Sequence, residues 1–242
     1  MVAHPDDESF ALGALLSGYA AHGVRTAVLC FTRGEASTLN PGGREDLGRV
    51  RAQEFSRAAR ILAVDRAVLL DYPDGRLSAF SLPELTARVR DMIDSWGATR
   101  LLAFDAGGVT GHPDHVRATE AALTAAEERG VPVLGWTLPT MVADRLTREF
   151  GIPFHGRALS TLDQSTPVDR AAQRRAIACH RSQSADNPVL YRRLELLGDF
   201  ESVVLLGGTA RPSGTSSQDD GHLPEHVAQW PSPVECPRRS RC

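Results

Sequence analysis

The feature that most constrains the fold is an alternation. Four short runs rich in aliphatic residues, RTAVLCF (25–31), RAVLL (66–70), TRLLAF (99–104) and VPVLGWTL (131–138), read as buried strands. Between them lie SFALGALLSGYAAHG, REDLGRVRAQEFSRAARILA, SLPELTARVRDMIDSWG and HPDHVRATEAALTAAEERG, which have helical period and in three cases stop near a glycine. Strand-then-helix order predicts an α/β fold with a mostly parallel sheet and helices on both faces. In such sheets a site forms at the carboxyl ends of the strands. The loops HPDDES, TRGEAST, DYPDGRL and DAGGVTGHPDH are therefore the places to look for chemistry.

A later block adds RALSTLDQ as a strand, two helices in VDRAAQRRAIACHRSQ and PVLYRRLELLG, and FESVVLLGG as a last strand. Beyond it the chain turns rich in Pro, Ser, Gly and charge. The expected division is one domain over 1–207 and a disordered tail over 208–242.

Composition removes several kinds of function. All 27 basic residues are arginine, which excludes a Schiff-base lysine and the lysine of a P-loop. A net charge of −3 gives no general attraction to nucleic acid or anionic membrane. Cys30, Cys179, Cys236 and Cys242 form no C-x-x-C pair, against a thiolate zinc site or a disulfide framework. No apolar run approaches the roughly 18 residues that a membrane span needs. No signal peptide precedes MVAHPDD, and the expected location is the cytoplasm.

The pair HPDDE and HPDH carries the chemistry. Each opens a helix after a strand end. His4 and Asp7 are three apart, as are His112 and His115, a spacing that projects side chains to one side of a helix start. Three of these groups would close on one metal as two imidazoles and a carboxylate, leaving a position for water. The plain alternative is that each aspartate caps its helix. On the helix at 47–62, Arg51 and Glu54 fall beside the apolar stripe, either paired at i, i+3 or turned into a polar cleft. Asp74 lies in a DG turn.

AHPDDESFALGALLSGYAAHGVRTAVLCFTRGEAS, LGRVRAQEFSRAARIL, LLDYPDGRL, GHPDHVRAT and AIACHRSQ occur in an order, from Ala3 to Gln183, that resembles the PIG-L/LmbE-like family of metal-dependent N-acetylglucosaminyl deacetylases. The resemblance implies a Rossmann-like sheet and a zinc hydrolase, with iron or another divalent metal as a substitute, acting on an amino-sugar glycoconjugate. It implies that His4, Asp7 and His115 hold the metal and that Asp6 is the general base. His112 would stabilise the oxyanion or protonate the leaving amine, with Asp114 orienting it. It places Arg51 and Asp74 against substrate. By their places in the chain, Arg33 and Glu35 after the second strand and His180 near the end of the pocket are weaker candidates, while Glu8 either pairs with a neighbouring loop or favours the first helical turn.

Members of that family carry a longer apolar strand before HPDDE, whereas here only MVA precedes it. This predicts that the natural chain extends further upstream. The loop DAGGVTG also lacks the aromatic found in some relatives. Rival expectations are an amidase on another acyl or thiol conjugate, a facial-triad iron oxygenase, and a binding module without activity.

Overall fold

The computed structural model of the chain describes residues 1–39 and 46–207. The expected tail lies outside them. A short extended start leads to α1 (Asp7–Phe10), α2 (Gly13–Ala21), β1 (Ala27–Thr32), α3 (Leu47–Ile61), β2 (Arg66–Tyr72), α4 (Leu82–Trp96), β3 (Leu101–Phe104), α5 (Pro113–Arg129) and β4 (Val133–Pro139). Then follow α6 (Thr140–Phe150), β5 (Gly156–Arg157), β6 (Gln164–Pro167), α7 (Ala171–Ile177), α8 (Arg181–Ser184), α9 (Pro188–Leu197) and β7 (Phe200–Gly207).

The strands β1 and β2 pair in parallel, as do β3 and β4, and β4 and β5. Residues 1–3 lie between the two groups: Val2 N–H donates to Leu29 O, Phe31 N–H to Val2 O, and the Met1 ammonium reaches Leu102 O at 2.7 Å. The strands form two sheets, the pair β1-β2 and a five-stranded mixed sheet, and the whole is less parallel than expected. Strand β7 runs antiparallel to both β4 and β6, giving the order β3-β4-β7-β6. An apolar run reveals a strand but not its direction, which depends on where the preceding helices deliver the chain. RALSTLDQ is also not one strand. It divides among Arg157 at the end of β5, a 3₁₀ turn at Leu159–Thr161 and Gln164 at the start of β6. The structure adds the helix α6 to the expected elements; its buried Val142, Ala143 and Leu146 keep a helical spacing.

Side-chain alternation along the strands divides the core into two layers. Val28 and Cys30 of β1 face one side with Leu12, Leu15, Phe55, Trp136 and Leu138. Leu29 and Phe31 face the other, against α4 and α5. That second layer fixes the helix that carries HPDH. Ala118, Ala121, Ala122, Ala125 and Ala126 of α5 are nearly all fully buried at i, i+3, i+4, i+7 spacing. They share a cluster with Leu85, Val89 and Ile93 of α4. The small residues let the two helices approach closely. Ala122→Leu is therefore expected to overpack this interface and lower stability by about 1–3 kcal/mol, read as a lower urea midpoint at unchanged slope.

Candidate metal and catalytic site

The expected loops meet at one end of the sheet. Residues from the HPDD turn, the loop after β1, the Asp74 turn and the loop after β3 line a cleft of about 440 Å³. The HPDH helix start closes one wall. His112 is the N-cap of α5, with Pro113 in the first turn, and its Nδ1 accepts the Asp114 N–H at 3.2 Å. The cap of this helix is thus the His112 side chain and not the Asp114 carboxylate, which has a chemical consequence. Nδ1 is occupied as an acceptor, so the neutral ring carries its proton on Nε2. Burial, with the nearby His4 and His115, lowers the His112 pKa and favours that neutral form.

His4, Asp7 and His115 converge. His4 Nδ1 stands 3.2 Å from His115 Nε2, and His115 Nε2 stands 3.2 Å from Asp7 Oδ1. His4 Nδ1 lies 3.7 Å from Asp7 Oδ2. Zinc ligands at about 2.0–2.2 Å in a tetrahedral array stand about 3.3–3.6 Å apart, so these separations fit a metal triad. Outer partners hold each ligand. Asp7 Oδ2 accepts the backbone N–H groups of Ala3 and His4 at 3.2 and 2.9 Å. His115 Nδ1 faces Gly108 O at 3.3 Å, and its ring stacks on Phe104 at 4.5 Å. Such bonds set ring orientation and tautomer in metal sites.

The other face of His4 departs from the sequence reading. Its Nε2 lies 3.0 Å from Asp74 Oδ1 and 3.4 Å from Asp114 Oδ2, close ion contacts without a well-aligned hydrogen bond. The Asp114 carboxylate also accepts the N–H groups of Gly75 and Leu77. The carboxylate thus contacts His4 and the Asp74 turn, whereas His112 accepts from the Asp114 backbone N–H. Asp74 lines the cleft but is engaged as well, taking the Ala36 N–H at 2.9 Å. Burial opposes a charge on His4. Asp114, Asp74 and Asp7 outweigh it and raise the His4 pKa to about 10. An imidazole held in so much negative charge is a position that favours a cation. Asp7 keeps its own charge despite burial, because His115 and His4 hold its carboxyl below the usual range.

Asp6 sits beside the triad in an unusual backbone conformation, with φ 123°. A non-glycine residue there costs about 1–3 kcal/mol. Burial raises its pKa to about 6, against the lowering effect of Arg51. Arg51 is buried on α3 and lines the cleft, but its guanidinium is largely taken up by protein. It donates to Gly34 O and Pro5 O, both at 2.5 Å, and lies 3.0 Å from Asp6 Oδ2. Glu54 does not pair with it. Glu54 accepts the N–H and hydroxyl of Ser182.

Several lining residues carry no sequence signal: Asn187, the N-cap of α9, Arg193 within that helix, and Gly108, Val109 and Thr110. Arg193 donates to Phe10 O and stacks over Trp136. The loop after β3 is anchored by Asp105, which Arg157 grips with two bonds of 2.7 Å. No local pattern marks these residues, because each depends on a contact distant in sequence. Arg33 pairs with Asp71 and does not line the cleft, while Glu35 accepts the Asp74 N–H and holds that turn.

The family model described as GlcNAc-PI de-N-acetylase (PIG-L) matches residues 1–126. A 1D-myo-inositol 2-acetamido-2-deoxy-alpha-D-glucopyranoside deacetylase of Streptomyces griseus is 33% identical over 165 residues, 58% of this chain. The chain spans only about half of that relative, 51% of its length. A protein of the same description from Saccharomonospora viridis is 30% identical over 227 residues, covering 77% of this chain and 84% of the relative. Among solved structures, the zinc-inhibited form of a teicoplanin deacetylase superposes with a TM-score of 0.63 at 20% identity, covering 84% of this chain and 96% of that one. The last likeness concerns the fold.

Proposed function

Since this chain belongs to the PIG-L family of de-N-acetylases, we propose that it is a metal-dependent hydrolase that removes an N-acetyl group from an amino-sugar glycoconjugate. The observation that carries this reading is the triad of His4 Nδ1, His115 Nε2 and the Asp7 carboxylate, with Asp6 and His112 on the same cleft. His4, Asp7 and His115 would hold the ion, zinc by its usual nitrogen and oxygen ligands, with iron also acceptable to this set. A divalent metal supplies an acidic water and an electrophile for the amide carbonyl.

The chain's own groups account for the protons. Asp6 Oδ2 is held by Arg51, which leaves Oδ1 to take a proton from water. The water oxygen joins the acyl carbon, the C–N bond breaks, and the proton moves from Asp6 to the departing nitrogen. The His112 Nε2–H would hydrogen-bond the developing oxyanion. Asp114 and Asp74 keep His4 turned so that Nδ1 faces the other ligands. The iron-oxygenase alternative leaves Asp6 and His112 without a task. The relatives' described substrate, an acetamido-glucopyranoside of inositol, is our first choice, and 440 Å³ is within the usual size of a small-molecule site.

The test is a mass-spectrometric screen for acyl loss across N-acyl glucosaminides, run on the full chain with and without a chelator. Acetyl loss should appear with metal, vanish on chelation and return when zinc, iron or cobalt is restored. No acyl loss from any of these substrates with metal loaded overturns the proposal. Since one neighbour is a zinc-inhibited form, excess zinc belongs in the titration.

Gly34 gives a sharper local prediction. It has φ 64°, and a Cβ there would stand 2.1 Å from Arg51 Nη1. Gly34→Ala should displace Arg51 and with it Asp6. The expected loss in kcat/KM is on the order of 10²-fold, the cost of a displacement of about 1 Å at a reacting group.

A further inference from the structure

We propose that Glu8 and His180 form a positioning pair that holds Asp6 in its left-handed backbone conformation and so aims its carboxylate at the reacting water. The inference rests on the reading of Asp6 as the base. A φ of 123° at a non-glycine residue persists only where its surroundings over-determine it. Here they do so through hydrogen bonds. Asp6 N–H donates to Glu8 Oε2 at 2.9 Å. The Asp6 carbonyl accepts from Ser9 N–H and Phe10 N–H at 2.9 and 2.7 Å. The other Glu8 oxygen, Oε1, accepts the Ser9 hydroxyl and His180 Nε2–H, both at 2.7 Å.

Glu8 and His180 are both completely buried, so neither touches substrate. The His180 ring also packs edge-on against Phe10. His180 is itself fixed from outside the HPDD turn. It precedes α8, whose Ser182 is bound to Glu54 of α3 through its N–H and its hydroxyl at 3.0 and 2.6 Å. The next residue, Gln183, takes the Ser37 hydroxyl from the loop after β1. The HRSQ segment thus ties two walls of the cleft together and, through Glu8, grips the backbone of Asp6. Asp7 has separate tethers, the N–H groups of Ala3 and His4. Loosening Glu8 should therefore disturb Asp6 and spare the metal ligands.

The experiment compares Glu8→Gln, His180→Leu and His180→Gln in the full chain, with urea midpoint and metal content measured beside kinetics. His180→Leu should lower kcat on the order of 10–100-fold, the usual cost of losing an outer partner, with KM and metal stoichiometry unchanged. His180→Gln keeps an N–H donor and should recover most of that loss. Glu8→Gln, which keeps one acceptor and the volume, serves if His180→Leu does not fold. In an Asp6→Asn background, none of these changes should lower the residual rate further, because groups acting as a unit are not additive. A crystal structure of Glu8→Gln or His180→Leu should show Asp6 moved away from φ 123°. Unchanged kcat, an equal loss in the Asp6→Asn background, or Asp6 still at its original φ in the variants overturns the pairing. If the unaltered protein hydrolyses no N-acyl amino sugar, the proposed function fails, and the crystal structures still decide whether the pair holds Asp6.

Discussion

Asp6→Asn is expected to lower kcat by a factor on the order of 10²–10⁴ while the protein keeps its metal, the range assigned to a positioned acid or base. The substitution preserves shape, and Arg51 can still meet the amide oxygen, but the amide cannot take a proton. Asp6 is absent from the convergent set of His4, Asp7 and His115, so metal content after dialysis should match that of the unaltered protein. Metal loss in Asp6→Asn, or full activity, would remove Asp6 from the role of base. The pH profile follows from the same residue. Burial holds its pKa up at about 6, and Asp7 adds to the rise. A base works deprotonated, so kcat/KM should fall as the pH falls through that value. A cation at the triad adds positive charge nearby and lowers the pKa. The acid limb therefore belongs at or below about pH 6, and Asp6→Asn should abolish it.

His115→Ala is expected to have the largest effect on metal binding. It removes the nitrogen that stands 3.2 Å from both His4 Nδ1 and Asp7 Oδ1. Asp114→Asn makes a graded comparison. Asp114 acts on His4 from outside the triad, and loss of such a partner costs about 10–100-fold in metal affinity or activity. His115→Ala should exceed that, which competition against a chelator of known affinity can measure. Asp114→Asn also separates the two roles read for Asp114. Orientation of His4 predicts weaker metal binding in Asp114→Asn, whereas orientation of His112 predicts a lower kcat at unchanged metal affinity. Equal metal affinities in His115→Ala and the unaltered protein would exclude His115 as a ligand.

Much of the site was legible because its signals are local. A helix start places His112, Pro113, Asp114 and His115 by their order alone. Alternation along β1 assigns Val28 and Cys30 to one core layer and Leu29 and Phe31 to the other. The order of strands and helices was enough to bring the right loops to one end of the sheet. Asp114 illustrates the limit of such reading. Its spacing from His112 made that histidine its natural partner, yet its carboxylate turns to Gly75, Leu77 and His4.

By itself, then, the sequence determined the α/β order, the two helix starts and the residue types gathered there, since these follow from periodicity and capping over a few neighbours. The tertiary structure alone decided the antiparallel direction of β7, the contact of both Asp74 and Asp114 with one imidazole nitrogen, and the use of Arg51 on Gly34, Pro5 and Asp6. It also decided that His180 should meet Glu8 across 172 residues. A buried carboxylate or guanidinium needs partners, but any of several polar groups can supply them. Only the packing of the sheet and helices brings one particular group within reach.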